Sequence, residues 1–212
     1  MLGLFVSIEG PDGAGKTTLA RALARRLAAA GYDPLEAREP GGTPVAEAAR
    51  HAFLDHGMDA GPAAELFLLL AARADLVAKR LRPALAAGRV VVSDRFDLST
   101  EAYQIAGRGL DGAVVRAANR LATGGLVPDL ILVLDLPPAL GLARQTASGK
   151  VSDRLERADA GVHERAAAFF RAVQGPTVVH LDAALPAGEV EAAAWGVLAP
   201  RLEKQTAAGR VQ

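Results

Sequence analysis

The sequence lacks cysteine, an excess of charge of either sign, and any long apolar run. The absence of cysteine among 212 residues excludes disulfide bonds, thiol catalysis and cysteine-based zinc sites. Lys plus Arg and Asp plus Glu both number 24, so no overall charge draws the chain to nucleic acid or an anionic membrane. No segment approaches the ~18 to 20 apolar residues that cross a bilayer, and the apolar stretch before residue 10 is too short for a signal peptide. We therefore expect a cytoplasmic protein with no nucleic-acid or membrane partner.

Lysine is also scarce, with four lysines at positions 16, 79, 150 and 204 against twenty arginines. Arginine suits bidentate binding of phosphate, although a compositional bias of the source genome would give the same ratio. Half of the residues are apolar, and the length is sufficient for one well-packed domain over residues 1–212.

Residues 10 to 18 read GPDGAGKTT and fit the phosphate-binding pattern G-x-x-x-x-G-K-[ST]. Glycines permit backbone conformations in which successive N–H groups surround phosphate oxygens. Lys16 adds a charge for the β- and γ-phosphates, and the Thr17 hydroxyl is placed to ligate Mg²⁺. An apolar run at residues 4–8 precedes the loop and a helical pattern at 16–30 follows it, which argues against a chance glycine-rich turn.

Short apolar runs alternate along the chain with Ala-, Leu- and Arg-rich segments of helical length. The predicted strands are residues 4–8, 90–92, 130–134 and 177–181, with a weaker candidate at 33–38. The predicted helices are residues 16–30, 44–56, 63–87, 111–123, 138–147, 160–173 and 187–204. This alternation predicts a three-layer α/β fold in which helices cover both faces of a parallel sheet. Pro83 predicts a kink or break within its helix.

Ligands of such sheets bind beyond the carboxyl ends of the strands, so the residues after each strand are functional candidates. Arg38 and an irregular Pro-Gly-Gly turn follow the second strand, and Asp94 and Arg95 follow the third. A carboxylate beside a phosphate loop can hold Mg²⁺ directly or through water, and Arg95 can hold a second phosphate. The alternative for the Asp94–Arg95 pair is a structural ion pair at a strand end.

A polar stretch at about residues 144–157 is predicted to form a short basic lid after the fourth strand. Its cationic candidates are Arg144, Lys150, Arg154 and Arg157. A basic lid excludes water and supplies cations to a transferring phosphoryl group, whereas the alternative is an ordinary solvated loop. The arginines together predict a nucleoside triphosphate facing an anionic acceptor, which would be held by some of Arg38, Arg50, Arg73 and Arg95.

Several motifs taken together resemble those of bacterial thymidylate kinases. They are Arg38-Glu39-Pro40-Gly41-Gly42-Thr43, Ala71-Ala72-Arg73, Asp94-Arg95-Phe96-Asp97-Leu98-Ser99-Thr100, and Ala102-Tyr103-Gln104 followed by Gly107-Arg108-Gly109. Their order and spacing match over nearly the whole chain. The resemblance implies a nucleoside monophosphate kinase fold with a five-stranded parallel sheet. It also implies the reaction of ATP with dTMP to give ADP and dTDP, with Mg²⁺, in a homodimer.

The resemblance further implies a role for each matching residue. ATP would be bound by Gly10, Asp12, Gly13, Ala14, Gly15, Lys16, Thr17, Thr18 and Asp182, the last in a turn that resembles the family's adenine-side loop. Mg²⁺ would be held by Thr17 and Asp94, either directly or through a bridging water. The residues expected to bind dTMP are Asp12, Arg38, Arg50, Leu69, Arg73, Arg95, Thr100, Tyr103 and Gln104.

Within the dTMP set, the implied roles divide between phosphate, sugar and base. Arg95 would hold the phosphate, with Arg38 and Arg50 nearby, and Arg73 would contact thymine O4. Thr100 and Gln104 match positions that contact the base. Tyr103 matches an aromatic residue packed under the deoxyribose, and Asp12 an acid near the sugar 3′-hydroxyl.

Two positions depart from the family pattern. Family members usually place a stacking aromatic residue where this chain has Leu69, so we expect a weaker base pocket unless Phe67 or another ring substitutes. The phosphate loop carries no basic residue besides Lys16, so the lid must supply the catalytic cation. We favour Arg144 and Arg154 for this role, with Lys150 as a possible stand-in.

Two other functions stay open at this point. A kinase of the same fold acting on another nucleoside monophosphate or on a deoxynucleoside is the nearer alternative. A nucleotide-dependent switch or binding module is more distant, because the guanine-reading Asn-Lys-x-Asp pattern is absent. The tight turn at Glu39-Pro40 permits a cis peptide bond.

Overall fold

The computed structural model describes residues 3–55, 60–147 and 160–208. Its strands form one parallel sheet in the order β2-β3-β1-β4-β5. They are β1 (Leu4–Glu9), β2 (Pro34–Arg38), β3 (Val90–Asp94), β4 (Leu130–Asp135) and β5 (Val178–Asp182). Every predicted strand is therefore present, including the weaker candidate at residues 33–38.

Helices connect these strands and lie on both faces of the sheet. They are α1 (Lys16–Ala29), α2 (Pro44–Leu54), α3 (Pro62–Leu76), α4 (Arg82–Ala86), α5 (Asp97–Thr100), α6 (Gly112–Thr123), α7 (Pro138–Ala147), α8 (Ala160–Ala172) and α9 (Ala187–Ala208). Two π-helical segments, Val77–Leu81 and Glu101–Gly107, extend α3 and α5. Within the described ranges, none of these helices combines the length and apolarity that crossing a membrane requires.

The alternation of side chains along β1 explains the three layers. Leu4, Val6 and Ile8 pack in a buried cluster with apolar residues of α1 and α9, while Phe5 packs on the opposite face with residues of α3 and α4. Successive side chains of a strand point to opposite faces of the sheet. Because β1 is apolar on both faces, a layer of helices must cover each face of the sheet. The predicted fold class is confirmed.

Two segments differ from the predicted helices. Residues 63–87 do not form one uniform helix, because the chain changes to the π-helical segment Val77–Leu81 just before Pro83, which has no backbone N–H to donate. Residues 97–107 are helical although no helix was predicted there. Asp97, Ser99 and Thr100 are polar, so apolar residues do not recur here at helical spacing and the sequence pattern does not indicate a helix.

His180 of β5 joins the edge of the sheet to the end of α8. Its Nδ1 lies 2.9 Å from an Asp135 carboxylate oxygen, and its Nε2 lies 2.8 Å from the Val173 carbonyl oxygen. Burial alone would lower the pKa of His180, but the Val173 carbonyl and the Asp135 carboxylate outweigh it and raise the pKa. The charged imidazolium can donate from both nitrogens, so it fits this pair of acceptors.

We expect this contact to make stability pH-dependent. Because the folded-state pKa is raised, the contribution is complete below the unfolded value of 6.5 and is lost as the pH rises through the folded value. The difference in unfolding free energy between the wild type and His180→Gln should therefore shrink as the pH rises above about 6.5. Urea denaturation across this range measures it, and a difference that is constant with pH would contradict the assignment.

Candidate active site

A cavity of about 770 Å³ opens at the carboxyl edge of the sheet. Segments that follow each of the five strands contribute to its wall: the phosphate loop after β1, Arg38 to Pro40 at the end of β2, Asp94 and Arg95 at the end of β3, Arg144 after β4, and Leu185 after β5. The expected convergence of the strand ends is present. The cavity runs from the phosphate loop to helices α2 and α3.

The phosphate loop keeps its conformation through glycines at tight backbone positions. Gly13 has a φ of 76°, and a Cβ added there would lie 2.3 Å from the Gly141 carbonyl oxygen at the start of α7. Gly141 meets the loop equally closely, since its own added Cβ would lie 2.3 Å from the Asp12 carbonyl oxygen. No side chain fits between the two backbones, so this approach requires glycine on both sides.

Lys16 folds back over the loop that carries it. Its Nζ donates hydrogen bonds to the carbonyl oxygens of Gly10 (3.1 Å) and Pro11 (2.7 Å). Burial and the neighbouring charge of Arg95 lower the pKa of Lys16 to about 8, against the opposing effect of nearby carboxylates. The ammonium group is therefore held against the backbone of the phosphate loop itself.

Thr17 and Asp94, the two predicted Mg²⁺ ligands, lie together beside the loop. The Thr17 hydroxyl donates to Asp94 Oδ2 at 2.5 Å. The part of the chain that the structure describes contains no cluster of three or more His or acidic side chains able to hold a metal. This pair fits Mg²⁺, which commonly takes one or two protein ligands and completes its shell with phosphate oxygens and water.

Asp12 forms a charged cluster with the predicted acceptor-side residues. One of its oxygens pairs with Arg95, and the other accepts a hydrogen bond from the Tyr103 hydroxyl at 2.9 Å. Burial alone would raise the pKa of Asp12, but Arg95, Lys16 and Tyr103 together lower it to about 2. The Arg95 guanidinium also lies 5.2 Å from the centre of the Tyr103 ring. The loop carboxylate thus orients both side chains in the cavity wall.

Arg95 stands in a turn with unusual backbone geometry. Its φ of 71° is the only positive value among the non-glycine residues that the structure describes. Such a conformation costs on the order of 1 to 3 kcal/mol and persists only when the surroundings enforce it. The Arg95 N–H donates to the Ile8 carbonyl (3.0 Å), and the Ser93 hydroxyl donates to the Arg95 carbonyl (2.8 Å). Contacts from β1 and β3 therefore hold the turn.

Arg73 is 2% exposed and lies at the far end of the cavity from the phosphate loop. Its guanidinium pairs with Glu39 at 2.6 Å and donates to Thr100 Oγ1, Asn119 Oδ1 and the Phe96 carbonyl oxygen at 2.6 to 2.9 Å. The Nε–H also donates to Glu39 Oε2 at 2.7 Å, so all five N–H groups have protein acceptors nearby. A contact with a base carbonyl would share one of them. The implied contact of Arg73 with thymine O4 stays a prediction.

Two polar side chains of the cavity wall at this end each carry a buried oxygen. Glu39 Oε1 and Gln104 Oε1 are buried without a hydrogen-bond partner among the described residues, and both residues line the cavity. Such atoms cost free energy unless something pairs with them. The predicted base-contacting residues Thr100 and Gln104 are therefore at a wall with unused hydrogen-bonding capacity.

Arg38 and Arg50 also line the cavity, on its more open side. Arg38 donates to Glu47 at 3.1 Å, and Arg50 donates to the Pro40 carbonyl oxygen at 2.9 Å. The Glu39-Pro40 peptide bond between them is cis. The turn after β2 thus brings both arginines to the same end as Arg73, as the sequence predicted.

An aromatic ring lines this end of the cavity at a position that no sequence motif marks. Leu69 lines the cavity as predicted, but Phe67 is 67% exposed and lies outside the cavity wall. Phe53 of α2 is buried and lines the same end as Leu69. No motif marks Phe53, and only its position one turn after Arg50 on the same helix could have indicated it.

At the opposite end, the wall is mostly apolar. It is formed by the facing side of α1, the turn after β5 and the start of α9, including Leu19, Ala22, Ala183, Leu185 and Val190. Asp182, predicted to bind ATP, is not part of the described cavity wall: its carboxylate accepts the Ala184 N–H at 2.9 Å and shapes the turn. Gly10 is likewise behind the wall, where its carbonyl accepts from Lys16.

The lid residues divide between described and undescribed parts of the chain. Arg144, in the last turn of α7, lines the cavity together with Gln145. The other predicted cations, Lys150, Arg154 and Arg157, lie outside the described residues.

The parallel sheet and the phosphate loop at the edge of this cavity are those of the phosphate-loop kinase class of proteins. A family model described as thymidylate kinase matches residues 8–194. The chain is 47% identical over 207 residues to a thymidylate kinase of a Synechococcus strain, covering 96% of this chain and 98% of the relative. It is 44% identical over 202 residues to one of Deinococcus radiodurans (94% and 98%) and 45% identical over 208 residues to one of Pseudomonas fluorescens (96% and 99%). The chain belongs to the thymidylate kinase family of enzymes.

We expect Phe53→Leu to raise the KM for dTMP by about 5-fold or more, because base stacking on a ring contributes ~1 to 3 kcal/mol. Phe169→Leu is the matched control, since it removes an equal ring from α8, outside the described cavity wall. Steady-state kinetics with varied dTMP measure both variants. Equal KM values for Phe53→Leu and the wild type would remove Phe53 from the base site.

Proposed function

We propose that the protein transfers the γ-phosphoryl group of ATP to dTMP, giving ADP and dTDP, with Mg²⁺. The observation that supports this most is one continuous cavity with a phosphate loop at one end and buried polar side chains beside a ring at the other. Membership of the thymidylate kinase family agrees with the two ligands that this cavity would take. Since ATP and dTMP are intracellular metabolites, we also place the enzyme in the cytoplasm.

In the proposed reaction, a phosphate oxygen of dTMP attacks the γ-phosphorus of ATP as the bond to the β–γ bridging oxygen breaks. Lys16 would neutralise charge on the β- and γ-phosphates, and Arg95 would hold the dTMP phosphate in line. The two side chains converge on the loop, since both donate to the Gly10 carbonyl oxygen. Little covalent chemistry is required of the protein, so positioning and charge neutralisation carry most of the catalysis.

Mg²⁺ would be held by Thr17 and Asp94, directly or through water. When bound, the metal supplies positive charge to the triphosphate oxygens during transfer. The hydroxyl and carboxylate are already at hydrogen-bond distance, so only a small local rearrangement separates this pair from a metal-binding one.

Tyr103 would select the sugar of the acceptor. Its ring is fixed by the hydrogen bond to Asp12 and by Arg95 over its face. A ring held at both its hydroxyl and its face cannot move aside easily, so a ribose 2′-hydroxyl would meet it directly. This supports preference for a deoxynucleotide.

The proposal is tested by ADP release with ATP and Mg²⁺ across dTMP, dUMP, dCMP, dGMP and thymidine. We expect dTMP to give the highest kcat/KM and chelation of Mg²⁺ by EDTA to abolish turnover. A higher value with another monophosphate or with thymidine would favour a kinase of the same fold with a different acceptor. ATP binding without turnover of any acceptor would favour a nucleotide-binding module.

Arg144 would supply the cation that the phosphate loop lacks, together with Arg154. We expect Arg144→Ala to lower kcat by roughly 100-fold while changing the KM for dTMP much less, because the charge acts on the transferring group. Arg171→Ala is the control, because Arg171 is exposed on α8 and lies outside the described cavity wall. A rise in KM at constant kcat for Arg144→Ala would assign it to substrate binding instead.

A homodimer is proposed from the apolar outer side of α3 and α6. Phe67, Val114 and Leu121 are 67%, 63% and 86% exposed, and the two helices pack against each other through Leu66, Leu70 and Val115. Exposed apolar side chains on neighbouring helices are typical of interfaces between subunits.

We expect Leu121→Glu to convert the dimer to monomers, because it places an unpaired charge in the proposed interface. Leu142→Glu is the control, since Leu142 is a similarly exposed leucine on α7. Sedimentation equilibrium measures both. A monomeric wild type, or a Leu121→Glu variant of unchanged mass, would contradict this interface.

A further inference from the structure

Glu9, the last residue of β1, has a fully buried side chain between the phosphate loop and the turn after β3. One carboxylate oxygen accepts the Phe96 N–H at 2.7 Å, and the other accepts the Ser99 hydroxyl at 2.6 Å. Glu9 is not part of the described cavity wall. Any influence on a ligand must therefore pass through the residues that it holds.

The two contacts of Glu9 fix the chain just after Arg95. Ser99 Oγ, which donates to Glu9, also accepts a hydrogen bond from the Arg95 guanidinium at 3.0 Å. The Arg95 backbone is held by Ile8, the residue that precedes Glu9 in β1, because the Arg95 N–H donates to the Ile8 carbonyl oxygen. The end of β1 therefore fixes the strained backbone of Arg95 and one contact of its side chain.

Phe96 extends the influence of Glu9 to the other end of the cavity. While its N–H is held by Glu9, its carbonyl oxygen accepts a hydrogen bond from Arg73 at 2.9 Å. Its ring is buried, 4.9 Å from the centre of the Phe5 ring. One peptide segment thus connects Glu9 to the arginine near the phosphate loop and to the arginine near the base end.

We propose that Glu9 is a positioning residue for the acceptor, setting the turn that aims Arg95 at the dTMP phosphate. The inference rests on the proposed function, because it assigns to Arg95 the phosphate of dTMP. It adds a residue that touches neither substrate and acts through hydrogen bonds from the preceding strand. A cation whose orientation is already fixed loses less conformational entropy when it binds a ligand.

The hydrogen bonds, rather than the charge, carry this role. Burial raises the pKa of Glu9 to about 7, against the opposing effects of Ser99 and Arg95. A glutamine at position 9 could accept the Phe96 N–H through Oε1 and donate to the Ser99 hydroxyl through Nε2. The neutral isostere should therefore keep the turn in place, whereas alanine should release it.

The first experiment compares Glu9→Ala with Glu9→Gln in dTMP phosphorylation. We expect Glu9→Ala to raise the KM for dTMP by about 10-fold or more with the KM for ATP within about 2-fold, and Glu9→Gln to stay within about 3-fold of wild type for both. Glu65→Ala is the matched control: Glu65 is equally buried and pairs with Arg108, but lies outside the described cavity wall. An unchanged KM in Glu9→Ala, a Glu9→Gln variant as impaired as Glu9→Ala, or the same split in Glu65→Ala would each overturn the proposal.

A binding experiment isolates the phosphate contact. Titration calorimetry of dTMP and thymidine should show that Glu9→Ala loses affinity for dTMP by about 10-fold but for thymidine by much less, since thymidine has no phosphate for Arg95. An equal loss for both ligands would place the effect of Glu9 on the base and overturn the assignment to Arg95.

If Glu9→Ala does not fold, the two single variants Ser99→Ala and Glu9→Gln test the positioning role of Glu9 instead. Ser99→Ala removes one of the two contacts and should raise the KM for dTMP by about 3-fold or more. Unchanged kinetics in Ser99→Ala would overturn the inference. Failure of the proposed function is seen separately, as a wild-type enzyme that does not prefer dTMP.

Discussion

Positive charge that is withdrawn from water must be balanced at short range, and this constraint shapes the whole carboxyl edge of the sheet. Lys16, Arg73 and Arg95 are all largely buried, and each is surrounded by acceptors of the protein itself. Asp12 balances Arg95, and Glu39 balances Arg73. The cations are consequently oriented before any ligand arrives, rather than being ordered by it.

The compensating groups come from different strand ends, which links the architecture to the chemistry. Asp12 follows β1 and Glu39 follows β2, while Arg95 follows β3. Because the sheet is parallel, these ends meet at one edge and can pair across strands. The Asp12–Arg95 ion pair thus joins the segments after β1 and β3, and the Glu39–Arg73 pair joins the segment after β2 to α3.

Much of this arrangement is readable from the sequence, because its signals are local. The strands follow from apolar runs, and the positions of Thr17, Asp94 and Arg95 follow from placing residues after those strands. What the sequence hides is pairing over long separations: Glu9 with Phe96, and Glu39 with Arg73. A carboxylate at a strand end looks the same whether it faces solvent, a metal or another turn. Phe53 was missed for a related reason, since a single ring on a helix carries no sign of which cavity it enters.

The contact between Gly13 and Gly141 gives the phosphate loop a mechanical connection to the helix that carries Arg144. The two backbones meet without intervening side chains, so neither can shift toward the other without moving it. A close-packed contact of this kind transmits displacement instead of absorbing it. A shift of the phosphate loop toward α7 would therefore have to move the first turn of the helix that carries Arg144.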